Sequence, residues 1–393
     1  MKRFVLLTAG SGLFATLAMA QVNPGYRVID LGTLGGQYSF AYGVNNAGWV
    51  GGGAATQTQI DGVSQTAVAW FGGQPINLGT LGGTACPGCN SEADTVNMSG
   101  EVSLLSETAT MDPNGEDFCG FGTHRQCLAA IWENGPLKAL STLPGGNNAQ
   151  AYWLNNRGEV IGFSEVGIRD TTCATPFQVM RFMAVKWGSD GQIHALPPLE
   201  GDTVSFGFGI NNKGQAIGVS GVCSNVGLPP NGPGGPHAVL WDRNGAPTDL
   251  GTLPGAVGNY AASGINDRGE VVGNAKMADG GIRPFLWTKQ TGMLALTPNS
   301  DPVNIIPCCG TINNRGEMVG FSCPGPMGNC RAIVWFEADQ APVDLNTLIP
   351  AGSAWYLLNT ASINDSGEIV GYGTFNGESH AFLAKPVTGS PAA

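Results

Sequence analysis

The chain has 393 residues, with 18 basic and 29 acidic side chains and a formal net charge of −11 at pH 7. Phosphate groups and anionic lipids repel such a chain, which argues against nucleic acid and membrane surfaces as partners. Charged residues make up only 12% of the chain, about half the usual level, while Gly and Pro number 61 and 25. This composition is typical of an all-β protein with tight turns.

Residues 1–20 have the pattern of an export signal. Lys2 and Arg3 give a positive start, residues 4–17 are largely apolar, and Ala18 and Ala20 fit a small-x-small cleavage site. The apolar core is too short for a stable membrane span, and no later stretch qualifies. We therefore expect a mature chain that starts at Gln21 and is secreted, to the periplasm or to the extracellular space.

A strand that ends in Asp-Leu-Gly, or in a variant of it, recurs along the chain and first occurs at residues 26–31. Short runs of this kind between turn residues predict β-strands, which we name D. Clear versions follow at Asn77, Ala139 and Asp249, and weaker ones start at Ala195, Ala295 and Asp344.

A second pattern, an apolar residue followed by Asn-x-x-Gly, occurs seven times at intervals of about fifty residues. Asn can bond the backbone ahead of it, and Gly can adopt the positive φ of a bulged hairpin turn. Each copy therefore predicts a hairpin between a strand A and a strand B. A calcium loop is the alternative, although most copies offer no carboxylate within the turn. The turn asparagines, expected to be structural, are Asn45, Asn97, Asn155, Asn211, Asn266, Asn313 and Asn364.

A third strand, C, ends in Trp in six units and lacks Trp in a seventh version at residues 380–384. A single fixed position in the repeat favours packing in the core over stacking on a ligand. The six residues are Trp70, Trp132, Trp187, Trp241, Trp287 and Trp335.

The fixed order A, B, C, D in seven antiparallel units predicts an all-β fold, a seven-bladed β-propeller. The chain opens with a lone strand D and closes with a lone strand C, so residues 26–31 and 380–384 are expected to pair and close the ring. An open solenoid would need capping units, and none is visible. The predicted propeller covers residues 21–386 as a single domain, and residues 387–393 form a flexible tail.

The recurring unit combines His-Ala-Phe-Leu-Trp, Asp-Leu-Gly-Thr-Leu-Gly-Gly and Ile-Asn-x-x-Gly-x-Val-Val-Gly. It resembles the HAF repeat family of bacterial extracellular proteins. The resemblance covers nearly all of residues 26–385, and the motifs recur in one order. It implies export and a repeat architecture, and it brings no catalytic residues to carry over.

Ten Cys, an even number in a chain predicted to be exported, indicate disulfides rather than free thiols. Positions within the repeat suggest two bonds inside B-to-C connections and one bond between successive units. These pairs are Cys119 with Cys127, Cys323 with Cys330, and Cys173 with Cys223.

The other four Cys are Cys86, Cys89, Cys308 and Cys309. A bond between the adjacent Cys308 and Cys309 would be strained, because their Cα atoms are only about 3.8 Å apart. Zinc bound by all four is an alternative that requires them to converge. Two disulfides are the favoured interpretation in an exported chain.

The histidines are scattered over the units, whereas a metal site needs clustered ligands. We interpret His124, His194, His237 and His380 as structural or exposed. No nucleophile elbow, zinc-protease motif or P-loop is present. The sequence therefore predicts no catalytic residue, no metal and no cofactor.

Two functions fit this description, and the fold does not decide between them. The first is a monomeric, non-enzymatic binding module for an unknown ligand, a glycan or a protein. The second is a polysaccharide-active enzyme, a lyase or glycoside hydrolase, with its site at the propeller mouth. Repetition without a catalytic motif favours the first. Because strand direction alternates, the B-to-C and D-to-A connections share one face, which carries every Cys, and we predict that residues 106–127 and 173–182 on this face bind.

Overall fold

The computed structural model describes residues 23–56, 65–173, 177–226, 234–296, 303–304, 311–323 and 330–387. These residues form β-strands and two short 3₁₀ helices, Gly83–Ala85 and Leu345–Thr347, so the predicted all-β class is confirmed. No helix in this part of the chain is long and apolar enough to cross a membrane. The predicted signal segment, Cys308, Cys309 and the chain after Val387 lie outside the described residues.

The strands follow one another in the predicted order A, B, C and D, and each such group is called a unit here. A lone strand, β1 (Gly25–Asp30), precedes unit 1, which contains β2 (Gly35–Val44), β3 (Val50–Thr56), β4 (Gln65–Trp70) and β5 (Ile76–Gly79). Unit 2 contains β6 (Ser91–Val96), β7 (Val102–Met111), β8 (Arg125–Trp132) and β9 (Lys138–Ala139). Unit 3 contains β10 (Ala149–Leu154), β11 (Val160–Arg169), β12 (Met180–Trp187) and β13 (Ile193–Leu196).

The same order continues to the end of the described chain. Unit 4 contains β14 (Val204–Ile210), β15 (Ala216–Gly221), β16 (His237–Trp241) and β17 (Pro247–Asp249). Unit 5 contains β18 (Ala256–Ile265), β19 (Val271–Met277), β20 (Ile282–Thr288) and β21 (Gly292–Ala295). Unit 6 contains β22 (Val303–Asn304), β23 (Met318–Ser322), β24 (Arg331–Trp335) and β25 (Val343–Asp344). Unit 7 contains β26 (Trp355–Ile363), β27 (Ile369–Phe375) and β28 (Glu378–Val387).

Units 2 to 6 each form a separate four-stranded antiparallel sheet. Units 1 and 7 share a sheet of eight strands, because one parallel bridge joins Tyr38 in β2 to Ser379 in β28. The lone strand β1 fills the D position of unit 7, where it pairs antiparallel with β28 from Gly25 opposite Val387 to Asp30 opposite Phe382. Backbone hydrogen bonds therefore join the first and last strands of the described chain.

The A-to-B turns have the geometry that their sequence requires. In unit 3, the Oδ1 atom of Asn155 accepts the N–H groups of Arg157 and Glu159 at 2.9 and 3.0 Å. Gly158 has a φ of 73°, a backbone conformation that residues with a Cβ atom rarely adopt. The asparagine thus satisfies the turn's own donors, and the glycine lets the chain reverse into strand B.

The apolar core lies between successive units, as the cluster shared by units 3 and 4 shows. Ile161 and Leu196 from unit 3 pack there against Ile210, Val239 and Trp241 from unit 4. The prediction that the strand C tryptophans are core is confirmed for most of them, and it is wrong in part for Trp287, which is only partly buried. The fully buried members are Trp70, Trp187, Trp241 and Trp335.

Candidate functional site

The disulfides lie in or beside the B-to-C and D-to-A connections, which the alternating strand direction places at one end of the units. We call this end the loop face and the opposite end, with the A-to-B turns, the turn face. Bonded pairs occur within units 2 and 6, between units 3 and 4, and before strand A of unit 2. They are Cys119–Cys127, Cys323–Cys330, Cys173–Cys223 and Cys86–Cys89.

These bonds decide between the alternatives for the cysteines that the structure describes. The three suggested pairs are the pairs that form. Cys86 and Cys89 bond to each other, which leaves no thiolate there for zinc. Within the described ranges, no group of three or more His, Cys, Asp or Glu side chains is placed to hold a metal ion.

The two long B-to-C connections of units 2 and 3 pack against each other on the loop face. Glu116, from unit 2, accepts the N–H groups of Val179 and Met180 from unit 3 through one carboxylate oxygen, the second at 2.9 Å. The ring of Phe118 stacks on Phe163 with centroids 5.0 Å apart. The two segments predicted to bind a ligand are therefore in contact with each other through Glu116, Val179 and Met180.

Five buried carboxyl groups lie beneath this surface, a feature that the sequence analysis missed. No salt bridge to any of them occurs among the described residues, which is unusual because a buried charge normally has an ionic partner or several hydrogen bonds. The five residues are Glu107, Asp112, Glu116, Asp117 and Glu165.

Amide N–H groups take the place of cations in this cluster. The Oε2 atom of Glu165 accepts the main-chain N–H groups of Asn147 and Asn148 at 3.0 and 3.1 Å. The Asn148 side chain donates to Oε1 of Glu165 at 3.1 Å and to Oδ2 of Asp112 at 2.8 Å. Asn148 therefore ties the connection of unit 2 to strand B in unit 3.

The same clamp occurs one unit earlier. Glu107 accepts the main-chain N–H of Asn90 at 2.6 Å and its side-chain N–H at 3.0 Å. Both glutamates follow a serine in the middle of strand B, and both asparagines directly precede strand A. The Ser-Glu doublet was thus the available signal, and it occurs in only these two units at this position.

The Glu116 and Glu165 carboxyls interact directly. Burial raises the pKa of Glu165 to about 8, and the charge and hydrogen bond of Glu116 add to the increase. A proton shared by two close carboxyls removes the repulsion that two buried charges would suffer. Because both side chains are fully buried, this pair holds the loops together and does not face a polymeric substrate.

The turn face has a ring of asparagines around a central cavity of about 120 Å³. The Nδ2 atom of each turn asparagine donates to the main-chain oxygen of the next one, and the last donates to the first, in a cycle of seven bonds. In the order Asn45, Asn97, Asn155, Asn211, Asn266, Asn313, Asn364 and back to Asn45, the distances are 3.0, 3.3, 3.0, 2.9, 3.0, 2.9 and 2.8 Å.

A second tier of bonds lies on top of this ring. The residue after each asparagine donates its main-chain N–H to the side chain of the equivalent residue in the next unit, as Asn156 does to Asn212 at 2.9 Å. Met98 stands at this position in unit 2 and offers no oxygen to the N–H of Asn46 in unit 1. The tier therefore has six of the seven possible bonds.

The histidines at the start of strand C contact acidic residues of strand D. Nδ1 of His380 lies 2.8 Å from Oδ1 of Asp30, and Nδ1 of His237 lies 3.3 Å from Oδ2 of Asp249. This pairing explains why the His and the Asp-Leu-Gly recur together. Sequence analysis treated the two motifs separately and missed it.

No protein-family description matches this sequence, and no curated protein matches it. Solved structures are similar in fold. A puromycin-hydrolysing peptidase of Mycobacterium tuberculosis matches with a TM-score of 0.56 and 13% identity, over 93% of this chain and 55% of that one. A puromycin hydrolase matches with a TM-score of 0.54 and 12% identity, over 88% and 54%. This chain thus spans about half the length of these two proteins.

A third similar structure is the β-propeller domain of the Trilobed protease from Pyrococcus furiosus. It matches with a TM-score of 0.51 and 10% identity, over 90% of this chain and 96% of that one. Identities this low relate folds and not activities. The chain has an all-β, propeller-like fold.

Proposed function

We propose that the chain is an exported, non-enzymatic binding protein, built as a closed seven-bladed β-propeller whose loop face carries the binding site. Seven repeating units, the pairing of β1 with β28 and the cycle of seven asparagine bonds support the closed ring. Membership of the HAF repeat family is part of this proposal and rests on the recurring motifs.

Export is supported by the charged and apolar pattern of residues 1–20 and by the disulfides, which persist in oxidising compartments. The same bonds bear on binding. Cys119–Cys127 and Cys173–Cys223 hold the two connections that meet at Glu116. Loops that are ordered in advance lose less conformational entropy when a ligand binds.

The observation that carries the proposal is the fixed contact between the connections of units 2 and 3. It creates a preformed surface from variable loops on a rigid scaffold, where binding commonly resides. The carboxyls of this region are buried and bonded to amide groups, so their arrangement favours a structural role over catalysis. We expect a monomer that binds a glycan or a protein.

A binding and cleavage screen of the mature chain against a polysaccharide panel and immobilised exported proteins tests this. Met111 and Ile168 are 55% and 52% exposed on the loop face. We expect Met111→Asp and Ile168→Asp to abolish binding of the ligand found. Leu294→Asp is the matched control, because Leu294 is also 52% exposed but lies on strand D of unit 5. Reproducible turnover of a polysaccharide would instead favour the enzyme.

A further inference from the structure

Grooves open between neighbouring units on the turn face, away from the proposed binding loops. The groove between units 4 and 5 has a volume of about 530 Å³. Unit 4 contributes polar side chains at the start of strand B and in the C-to-D hairpin. Unit 5 contributes a tryptophan and an ion pair. The main lining residues are Gln215, Asp242, Thr248, Arg268, Glu270 and Trp287.

Trp287 differs from Trp187 and Trp241 in how its indole is held. Trp187 and Trp241 are fully buried and donate their indole N–H to the carbonyls of Ser141 and Pro197, both at 2.8 Å. Ser141 and Pro197 each directly follow a leucine at or just after the end of strand D in the preceding unit. Burial and this bond together fix the indole within the core.

The corresponding carbonyl for Trp287 is that of Gly251, which follows Leu250. Asn259 donates its side-chain N–H to this oxygen at 2.9 Å. Among the described residues Trp287 makes no indole hydrogen bond, and its side chain remains partly exposed in the groove. The partial exposure of Trp287 is what makes it available to a ligand, because Trp132 also makes no indole hydrogen bond among the described residues but is only 9% exposed.

The equivalent groove between units 3 and 4 provides an internal comparison. Its volume is about 490 Å³, and its tryptophan, Trp241, is buried and absent from the lining. Lys186 occupies this groove, with Nζ 2.9 Å from the carbonyl of Arg243 and 3.8 Å from Glu159. In unit 4, the position that corresponds to Lys186 is occupied by Leu240. The two grooves have similar size, and of the two only the groove between units 4 and 5 has a tryptophan in its lining.

The charges around Trp287 are largely balanced. Nη2 of Arg268 lies 2.5 Å from Glu270, and Nη1 of the same guanidinium donates to the carbonyl of Asn314. Asp242 accepts the N–H groups of Asn244 and Ala246 at 2.8 and 2.9 Å with Oδ1. Lys289 also lines the groove, which therefore has two cationic and two anionic side chains and offers donors and acceptors without a strong field of either sign.

We propose that this groove binds a sugar ring of a neutral carbohydrate, stacked on the indole of Trp287. The C–H groups on one side of a pyranose carry partial positive charge and pack on the negative face of an aromatic ring. The hydroxyls need both donors and acceptors, which Arg268, Glu270 and Thr248 supply. Leu240 and Trp287 give the groove its apolar surface, and polar side chains surround them, an arrangement that fits a hydroxyl-rich ligand. This proposal does not depend on binding at the loop face.

Titration with cellotriose, maltotriose and N-acetylchitotriose, followed by tryptophan fluorescence and calorimetry, tests the proposal. We expect at least one trisaccharide to bind with a Kd of about 1 mM or below, and Trp287→Ala to weaken it by at least about tenfold. Trp287→Phe should retain most of the affinity, because the ring face persists. Arg243→Ala, in the groove between units 3 and 4, should leave the affinity unchanged.

Circular dichroism of each variant separates lost binding from lost folding. If Trp287→Ala does not fold, the affinity of Trp287→Phe for the trisaccharide is compared with that of the parent chain instead. Three results would overturn the proposal. One is the failure of all three sugars to bind at about 10 mM, a concentration well above the expected Kd. The second is unchanged binding by Trp287→Ala. The third is tighter binding of a short proline-rich peptide than of any trisaccharide, which would assign the groove to peptides.

Discussion

The side-chain Nδ2 of Asn364 lies 2.8 Å from the main-chain oxygen of Asn45, a residue 319 positions earlier in the chain. This bond joins unit 7 to unit 1 and completes the cycle of asparagine bonds on the turn face. The same Nδ2 donates to Glu368 at 2.7 Å, and Oδ1 accepts two N–H groups of its own turn. One side chain therefore fixes both a turn and the junction between units.

We expect Asn364→Asp to destabilise the protein, because it keeps the acceptor for the turn but replaces the donor with a negative charge beside Glu368. Loss of a buried hydrogen bond and the new repulsion should together lower the free energy of unfolding by about 2–4 kcal/mol. Urea denaturation measures this change. Ser366→Ala, at an exposed position of the same turn, is the control. Equal stability of Asn364→Asp and the parent chain would contradict a closing role for this bond.

The gap in the second tier of bonds predicts a stabilising substitution. Met98→Asn would place an acceptor opposite the N–H of Asn46, as Asn156 does for the N–H of Met98 at 3.0 Å. Met98 is 45% exposed, so little apolar burial is lost. We expect a gain of about 0.5–1 kcal/mol, which a rise in melting temperature would report. Met98→Leu, which adds no acceptor, should give no gain.

Removal of β1 should destabilise unit 7. Tyr26 is 2% exposed within the core of units 6 and 7, and Asp30 contacts His380. A chain that begins after residue 31 would leave β28 with an unpaired edge, which promotes aggregation. We expect a lower melting temperature and lower solubility, while deletion of residues 388–393 should change neither. A truncated chain as stable and soluble as the parent would count against closure through β1.

Stability should depend on the proton held by Glu165. Its pKa in the folded chain is about 8, above the usual value of 4.5, so folding favours the protonated carboxyl. The resulting stabilisation is complete below the usual pKa and is lost as pH rises towards and through about 8. Once Glu165 loses its proton, it adds a negative charge to the buried cluster of acidic side chains that includes Asp112 and Glu116.

Glu165→Gln removes this proton and keeps the side-chain shape. We expect the variant to lose less stability than the parent chain between pH 5 and pH 9, compared by urea denaturation at several pH values. Glu92, whose pKa burial raises to about 7, contributes in the same direction and stays present in both chains. Identical pH profiles for the two proteins would contradict the raised pKa of Glu165.

The strand order and the turns were readable from the sequence because both depend on local patterns. Asn-x-x-Gly specifies a turn through bonds to its own backbone, and the structure shows those bonds at Asn155. The pairing of β1 with β28 was inferred because the first fragment is a strand D without a strand C, and the last fragment is a strand C without a strand D. Repetition supplied the rest, since a pattern seen several times is less ambiguous than the same pattern seen once.

The sequence predicted where the loop face lies, but not which side chains hold its loops together. Glu107 and Glu165 are charged residues, and nothing in the local sequence shows that they are buried and bonded to Asn90 and Asn148. Trp287 illustrates the opposite error. Its repeat position predicted a core residue, but the structure leaves its side chain partly exposed in a groove between units, which depends on tertiary packing and not on the local pattern.

The pairing between β1 and β28 also bears on how the chain folds. His380 and Asp30 are 350 residues apart in sequence, so β1 has no partner until nearly the whole polypeptide is available. Contacts between such distant residues raise the contact order and slow folding, because a large loop must close before they form. Units 2 to 6 pair their strands only with neighbours in sequence. The junction between units 7 and 1 is therefore expected to form last, and a chain interrupted before residue 378 would expose a strand edge.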